Sequence, residues 1–359
     1  MQNQNSSKII HYKALTGIRA IAAIMIFVYH NRKYWKNDLH PELFRFCNEL
    51  NLGVPLFFVL SGFLIAKSYG TQPLQSLSHY KNYFLQRIMR IMPLYWLLLT
   101  LYYFDPSFGK CHFSITHYLL LQGFSSTHSL DAIAQSWSLT VEMTFYFLAP
   151  LLMLLLQKHL IYLIVFLIGL LLIALAGGWL WTNYGGNKDC YLYPFDFVLM
   201  STFAGQSLLF VAGMSLAHYA TFWNRMAAVK HLTSLGALGF IVTLYCIGLF
   251  QTSRVDHGTN HWQGKIIFFS ILPIFIMFLF QGLITQRSLL QRFLSNKIMM
   301  VLGNASFAFY LVHISYINLK LKSWVFYDDR NFILLWIVAI GLYYCFEKPF
   351  YEWYKRKVL

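Results

Sequence analysis

Arg19 and His30 form a pair of ionisable residues within one apolar stretch of the sequence. In an α-helix an offset of eleven residues is three turns plus about 20°, so both side chains lie on one face, about 16 Å apart along the axis. Ionisable groups at membrane depth are costly and usually face a bundle interior or a wet cavity. His30 is the natural general base, because an ordinary histidine titrates near neutral pH. The alternative is that both residues anchor the helix at the two headgroup regions by snorkelling.

Three further ionisable residues stand in or beside apolar segments: Glu142, Arg87 and Arg90. Two roles are predicted for Glu142. Its carboxylate orients a histidine, or it forms a buried ion pair between helices, with Arg19 as a partner. Arg87 and Arg90 are neighbours on one helix face, and guanidinium groups bind phosphate oxygens in bidentate fashion. The pair predicts that this helix binds the phosphate groups of a ligand. The alternative is that the two side chains only anchor the helix at the cytoplasmic side of the membrane. Pro93 is predicted to limit the regular helix and to leave nearby backbone groups open to a ligand.

Weaker signals come from small and polar residues inside the apolar segments. Ser61 and Gly62 interrupt one segment, whereas Ser138 and Ser306 are as typical of helix packing as of a site. His313 is more typical of a hydrogen-bonded helix end than of a catalyst. Glycine-rich phosphate loops, GxSxG, HExxH and Cys/His metal spacings are missing from the sequence, which argues against nucleotide-driven pumps, α/β-hydrolases and zinc enzymes. We therefore expect no metal site.

The composition is that of a membrane protein. Hydrophobic residues make up 58% of the 359 residues, charged residues 11%, and the mean hydropathy is +0.51. A soluble domain carries about a quarter charged residues. The net charge of +15 then fits basic cytoplasmic loops rather than nucleic-acid binding, because no Lys/Arg-rich run interleaves with exposed aromatic residues in a soluble module.

The apolar runs predict an all-α, polytopic membrane protein with about ten transmembrane helices in one bundle and a single domain over residues 1–359. Lys and Arg are more numerous in the loops on the side of the termini, which predicts both termini in the cytoplasm. The predicted spans lie near 15–31, 51–69, 88–104, 137–156, 160–181, 202–220, 232–250, 265–284, 298–318 and 330–346.

The polar segment 1–13 and Arg19 favour a first span that is retained rather than a cleaved signal peptide. The long connections, 105–136 and 182–201, fall on the predicted outer side. Of the five cysteines, Cys47, Cys111 and Cys190 are predicted outside, which allows one disulfide.

Five segments, taken in order, resemble the membrane-bound acyltransferases called acyltransferase family 3. They are Leu15-Thr-Gly-Ile-Arg-Ala-Ile-Ala-Ala with His30, Phe57-Phe-Val-Leu-Ser-Gly-Phe-Leu-Ile, Arg87-Ile-Met-Arg-Ile-Met-Pro-Leu-Tyr, Trp137-Ser-Leu-Thr-Val-Glu-Met-Thr-Phe-Tyr and Leu302-Gly-Asn-Ala-Ser-Phe-Ala-Phe-Tyr-Leu-Val-His. A closing Glu347-Lys-Pro-Phe also fits. The matches span nearly the whole chain; Phe307 stands where the family often has tyrosine.

The resemblance implies ten spans and transfer of an acyl group, commonly acetyl, from cytoplasmic acyl-CoA to a hydroxyl of a glycan or related acceptor. It implies catalytic roles for His30, Glu142 and Arg19. The residues it assigns to donor binding are Arg87, Arg90, Ser61, Gly62, Pro93 and Tyr95, and the supporting residues are Trp137, Ser138, Tyr146, Ser306, Tyr310 and His313.

The expected function is therefore O-acetylation in a bacterial inner membrane, with acetyl-CoA as co-substrate. The expected acceptor is a glycan or glycolipid of the envelope, such as a lipopolysaccharide O-antigen sugar; peptidoglycan, a lipid-linked precursor and a small secondary metabolite stay open. We expect His30 to deprotonate the acceptor with Glu142 as its support, and an acyl-histidine intermediate is equally compatible. Because the sequence ends soon after the tenth predicted span, we expect the bundle to complete the transfer or to hand the acyl group to another protein. The alternative function is a transporter that flips an acylated sugar or polysaccharide.

Overall fold

The computed structural model of the chain describes residues 12–35, 38–70, 77–104, 113–184, 194–226, 229–324 and 331–358. These residues form helices and no β-strand. Seven helical segments within them are long and apolar enough to cross a membrane: Lys13–Tyr34, Pro41–Tyr69, Ala134–Lys158, Leu160–Tyr184, Phe195–His218, Trp262–Thr285 and Phe332–Lys357. The prediction of an all-α, polytopic membrane protein is confirmed.

The described part of the chain contains eighteen α-helices and several short 3₁₀ turns. The α-helices are α1 (Lys13–Asn31), α2 (Pro41–Asn48), α3 (Gly53–Tyr69), α4 (Leu77–Phe104), α5 (Ile115–Tyr118), α6 (Trp137–Lys158), α7 (Leu160–Tyr184), α8 (Phe195–Ser201), α9 (Phe203–His218), α10 (Ala220–Met226), α11 (Leu232–Gly248), α12 (Trp262–Ser270), α13 (Leu272–Thr285), α14 (Leu289–Leu294), α15 (Lys297–Val312), α16 (Tyr316–Trp324), α17 (Phe332–Leu342) and α18 (Lys348–Val358).

The predicted number of ten spans differs from these seven segments. The helices α11 and α15 are apolar but shorter, about 25 Å long at 1.5 Å per residue, against a hydrocarbon core of about 30 Å. The third predicted span lies in α4, whose hydropathy is lowered by Arg87 and Arg90. The ninth predicted span, 298–318, is wrong at its end, because α15 stops at Val312 and α16 is a separate helix.

Helix α4 also corrects the expectation for Pro93, which lies inside the helix without ending it. A proline removes one backbone hydrogen bond and strains one turn. The aromatic and aliphatic side chains after it are buried, among them Leu94, Tyr95 and Leu98, and this packing keeps the turn helical. The backbone at Pro93 is therefore not opened for a ligand in the manner predicted.

Helix α1 runs parallel to α15. At one end a Cβ on Gly303 would lie 2.0 Å from the carbonyl oxygen of Thr16, and at the other end the rings of His30 and His313 have centroids 5.2 Å apart. Helix α17 runs the opposite way, because its first residue Phe332 lies against Phe27 near the His30 end, with ring centroids 5.0 Å apart. The end of the last span thus returns to the Arg19 end of α1.

Helices α3 and α9 pack against each other at backbone distance. A Cβ added at Gly62 would lie 2.0 Å from the carbonyl oxygen of Phe210, and one added at Gly213 would lie 1.9 Å from that of Val59. Small residues permit such approach in membrane bundles, where dispersion forces rather than water drive helix association. This contact fixes α3, and with it the position of Ser61 one residue earlier.

Replacing Gly62 by Ala will destabilise the protein, because the added methyl group must push α9 away from α3. Overpacking of this kind costs about 1–3 kcal/mol. The matched control is Gly169→Ala in α7, where an added Cβ meets nothing within 4 Å. Because alanine has a higher helix propensity than glycine, this change raises the stability of the helix by up to about 1 kcal/mol. Thermal unfolding in detergent measures both. Equal melting temperatures for the two variants would contradict the close packing of α3 and α9.

Candidate functional site

A cavity opens between α1, α3, α4, α6 and α15 and contains about 810 Å³ of empty space, its open mouth included. One part of its wall is apolar and aromatic, with Phe57, Phe58, Leu64, Ile91 and Phe307. The other part carries most of the polar residues that the sequence singled out. These are Arg19, Ser61, Arg87, Arg90, Ser138, Glu142, Tyr146 and Tyr310.

Glu142 is the hydrogen-bond acceptor at the centre of this polar wall. Its Oε1 accepts from the Ser61 hydroxyl and from the Tyr146 hydroxyl, each at 2.6 Å, and its charge also attracts Arg19. The expected support of His30 by Glu142 is not what the structure shows, since His30 is not among the cavity-lining residues. Glu142 instead couples α3 to α6 and balances Arg19.

Arg87 lies within a cluster of tyrosine rings. The centres of the Tyr69, Tyr83 and Tyr146 rings lie 5.8, 5.7 and 5.9 Å from its guanidinium carbon. Cation–π attraction strengthens when the cation is desolvated, so these rings hold the side chain without neutralising its charge. Arg87 is therefore a fixed positive group beside the cavity.

Glu347 acts on two arginines of the cavity wall, although the sequence predicted no role for it. It interacts electrostatically with Arg90 and Arg19, and its Oε2 is buried without a hydrogen-bond partner among the described residues. It ends a π-helical turn, Tyr343–Glu347, between α17 and α18; such turns are frequent at functional sites. The signal was present in the sequence, because a carboxylate at the end of an apolar segment is costly and calls for a partner.

Hydrogen bonds between α15 and the start of α6 form a closure beside Ser138 and Tyr310, two residues of the cavity wall. The hydroxyls of Tyr310 and Ser138 are 2.7 Å apart, and both lie within 3.1 Å of the Gln135 carbonyl oxygen. The Gln135 side-chain amide donates to the carbonyls of Tyr310 and Leu311, at 3.0 and 2.7 Å. The sequence did not single out Gln135, whose role depends on how the segment before α6 folds onto α15.

His30 lies beyond this closure, at the other end of α1. Its ring contacts His313, with centroids 5.2 Å apart, and Tyr29, with centroids 4.7 Å apart. The Tyr310 ring lies 5.6 Å from the His313 ring, so Tyr310 borders the cavity on one side and the histidine pair on the other. Arg19 and His30 therefore face two regions separated by Tyr310.

The loop between α11 and α12 fixes the His30 end of α1. His257 Nδ1 donates to the Asn48 carbonyl, so its Nε2 accepts from the Tyr29 hydroxyl at 3.2 Å. Asp256 organises the loop by accepting from Thr252, Asn260 and His261. Burial alone would raise the pKa of this carboxyl, but these hydrogen bonds hold it well below its usual range.

The remaining predicted site residues lie outside the cavity wall. Gly62 contacts α9, the Tyr95 hydroxyl donates to the His117 carbonyl at 2.7 Å, and the Ser306 hydroxyl donates to the Gly303 carbonyl at 2.8 Å. Trp137 is the partly buried first residue of α6. Their roles in binding stay predictions.

In the described ranges, no three His, Cys, Asp or Glu side chains are grouped so that they could hold a metal ion. The thiol of Cys47 is free. Cys111 and Cys190, the other candidates for a disulfide, lie outside the described residues, as do parts of the two long predicted loops.

Comparison with known proteins gives a family match over most of the chain. The sequence profile described as an acyltransferase domain matches residues 12–346. Two relatives are a "Putative O-acetyltransferase" of Staphylococcus aureus, 25% identical over 96% of this chain and 58% of its own, and the peptidoglycan O-acetyltransferase OatA of Listeria monocytogenes, 24% identical over 85% of this chain and 49% of its own. The chain thus spans about half the length of these relatives. No solved structure matches it.

The charge cluster of Glu347 with Arg19 and Arg90 makes a stability prediction. Replacing Glu347 by Gln removes one of the two carboxylates that act on Arg19 and leaves Glu142 as the other. The arginines are then less well balanced in a poorly solvated place, and the free energy of unfolding falls by more than about 1 kcal/mol. The control is Glu352→Gln, five residues later, where the carboxylate is half-exposed and 4.0 Å from Lys348; this change costs at most about 0.5 kcal/mol. Denaturation in detergent measures both, and equal losses would contradict the buried cluster.

Proposed function

The chain belongs to the acyltransferase-domain family, and from this premise we propose that it is an enzyme that transfers an acetyl group from acetyl-CoA to a hydroxyl of a cell-envelope glycan. We assign it to a bacterial inner membrane, with both termini in the cytoplasm. The acceptor we favour is a lipopolysaccharide O-antigen sugar. The relatives named above carry O-acetyltransferase names, and one name specifies peptidoglycan, so muropeptides are the main competing acceptor.

The observation that carries the proposal is the convergence of Arg19, Arg87 and Arg90 on one end of a largely apolar cavity. Guanidinium groups bind phosphate oxygens with paired hydrogen bonds, and CoA presents several phosphates at the end of a long, thin arm. The apolar wall suits that arm. Two carboxylates beside the arginines prevent the charges from destabilising the empty bundle.

Catalysis requires a base near the acetyl thioester and the acceptor hydroxyl. His30 takes the hydroxyl proton as the acceptor oxygen attacks the carbonyl carbon. A C–O bond forms, the C–S bond breaks, and His30 returns the proton to the leaving sulfur, which gives the acetyl ester and CoA thiol. Arg19 and His30 are about 16 Å apart along α1, a separation that an extended arm of the donor spans if it passes Tyr310.

We expect His30→Ala to abolish acceptor-dependent release of CoA thiol, because no other group in the sequence is assigned to take the proton. The assay uses purified protein in lipid nanodiscs, acetyl-CoA, and either O-antigen oligosaccharide or muropeptide. The loss should be at least about 100-fold, the lower range for removal of a general base. The control is His159→Ala, an exposed histidine between α6 and α7.

The outcomes separate the competing functions. Wild-type protein that moves labelled glycan across the bilayer without releasing thiol would be a transporter, and the proposal would fail. Thiol release that persists in His30→Ala would preserve an enzyme but remove His30 as its base. Mass spectrometry of the glycan identifies the ester and the acceptor.

Arg90→Ala is expected to raise the KM for acetyl-CoA about tenfold, which corresponds to roughly 1.4 kcal/mol and to the loss of one charge-assisted phosphate contact. The change in kcat should be smaller, because Arg90 does not contact the reacting atoms. Arg225→Ala, an exposed arginine in α10, is the charge-matched control. A KM equal to that of the control would show that CoA phosphates do not bind at Arg90.

A further inference from the structure

His313 is a fully buried histidine whose ring faces the ring of His30 across the parallel helices α1 and α15. The two centroids are 5.2 Å apart and the planes are inclined by 46°. Between these two described residues the structure shows no hydrogen bond, and one forms only if the His30 side chain turns a nitrogen toward His313. The fold thus pairs two histidines that are 283 residues apart in the sequence.

The hydrogen bonds of His313 fix which of its nitrogens carries the proton. Nδ1 lies 2.7 Å from the carbonyl oxygen of Tyr310. A carbonyl oxygen only accepts, so Nδ1 must donate, and Nε2 of the neutral ring is then an acceptor. That Nε2 atom is buried and has no hydrogen-bond partner within the described residues. A buried acceptor without a donor is unfavourable, and the neighbouring His30 ring can supply one.

The ring of His313 is held against turning away. It lies parallel to the Phe309 ring at 6.2 Å, and Phe309 stacks on Trp336 at 3.9 Å. The side-chain amide of Asn318 donates to the backbone carbonyl of His313. The direction of the free Nε2 lone pair is therefore set by the packing of α15 and α17, before any substrate binds.

In the described part of the chain, the charged side chains that act on His30, apart from His313, are not hydrogen-bond acceptors. Arg32 and Lys33 act on His30 as positive charges and can only donate hydrogen bonds. Arg32 already donates to Asn48 and to the Tyr29 carbonyl. The Tyr29 hydroxyl is engaged with His257.

We propose that His313 is the positioning residue of the acyl transfer: its Nε2 accepts an N–H of His30 and so leaves the second nitrogen of His30 unprotonated toward the acceptor hydroxyl. The proposal rests on the function proposed above. In the transfer, the hydroxyl proton moves to that free nitrogen, the ester C–O bond forms as the thioester C–S bond breaks, and the same proton leaves with the CoA sulfur. The N–H that His30 donates to His313 stays on His30 throughout and orients its ring. In catalytic histidines generally, a hydrogen bond made by one ring nitrogen sets the protonation state of the other.

Two variants separate orientation from packing. His313→Phe keeps an aromatic ring for stacking on Phe309 but removes the acceptor, whereas His313→Gln places an amide oxygen close to the former Nε2 position. We expect His313→Phe to lower kcat at least tenfold with the KM for acetyl-CoA unchanged within twofold, and His313→Gln to retain at least a third of the wild-type kcat. A purely structural role predicts similar losses for both variants, together with lower melting temperatures.

A second measurement does not depend on how the His313 variants fold. In wild-type protein labelled with ¹⁵N-histidine, Nε2 of His313 should be unprotonated and should lose its hydrogen-bond shift in His30→Ala. A protonated Nε2, or one unaffected by His30→Ala, would overturn the proposal.

The activity outcomes distinguish the two levels of inference. If wild-type protein releases no acceptor-dependent CoA thiol, the proposed function fails. If wild-type protein is active, His30→Ala is inactive and His313→Phe keeps the wild-type kcat, the function stands and the positioning role of His313 is wrong.

Discussion

The structure depends on keeping several charges inside an apolar bundle. Arg19, Arg87 and Arg90 converge on one cavity, where their mutual repulsion and their lost hydration both oppose folding. The chain compensates with two carboxylates and with tyrosine rings. Glu142 is turned toward Ser61 and Tyr146, and Glu347 faces the arginines from a π-helical turn. The guanidinium groups thereby stay stabilised yet available to a ligand.

The sequence was sufficient to predict the helical membrane bundle and to single out Arg19, Arg87, Arg90 and Glu142, which the structure brings to the wall of one cavity. A charge within an apolar segment must find a cavity or a partner, so such residues can be picked out from the sequence even where their contacts cannot. The sequence also singled out Ser138, one turn before Glu142 in α6, and Tyr310 in α15. These residues line the same cavity because they recur on the inner faces of α6 and α15.

The sequence could not show which polar groups contact each other across helices. Pairing Glu142 with His30 was reasonable from residue types, but contact depends on helix direction and offset. Because α1 and α15 run parallel, His30 contacts His313 instead. The close approach of α3 to α9 at Gly62 places the Ser61 hydroxyl within hydrogen-bond distance of Glu142. Gln135 was missed for the same reason: its amide acts on the end of α15, 175 residues away, and nothing in its local sequence indicates that fold.

The hydrogen bonds among Tyr310, Ser138 and Gln135 lie between the Arg19 end and the His30 end of α1. Tyr310 borders the cavity through its hydroxyl and approaches His313 through its ring. Under the function proposed above, a donor held by the arginines would therefore have to displace the hydrogen bonds among Tyr310, Ser138 and Gln135 to reach His30. Those bonds are between neutral groups and are each worth about 1 kcal/mol net. An arm that carries amides can replace them as it enters, whereas the charged phosphates would have to give up the guanidinium groups to follow. Under the proposed function, the same partition would admit the reactive end of a long donor and retain its charged end near Arg19, with the proposed binding site and the proposed base at opposite ends of one helix.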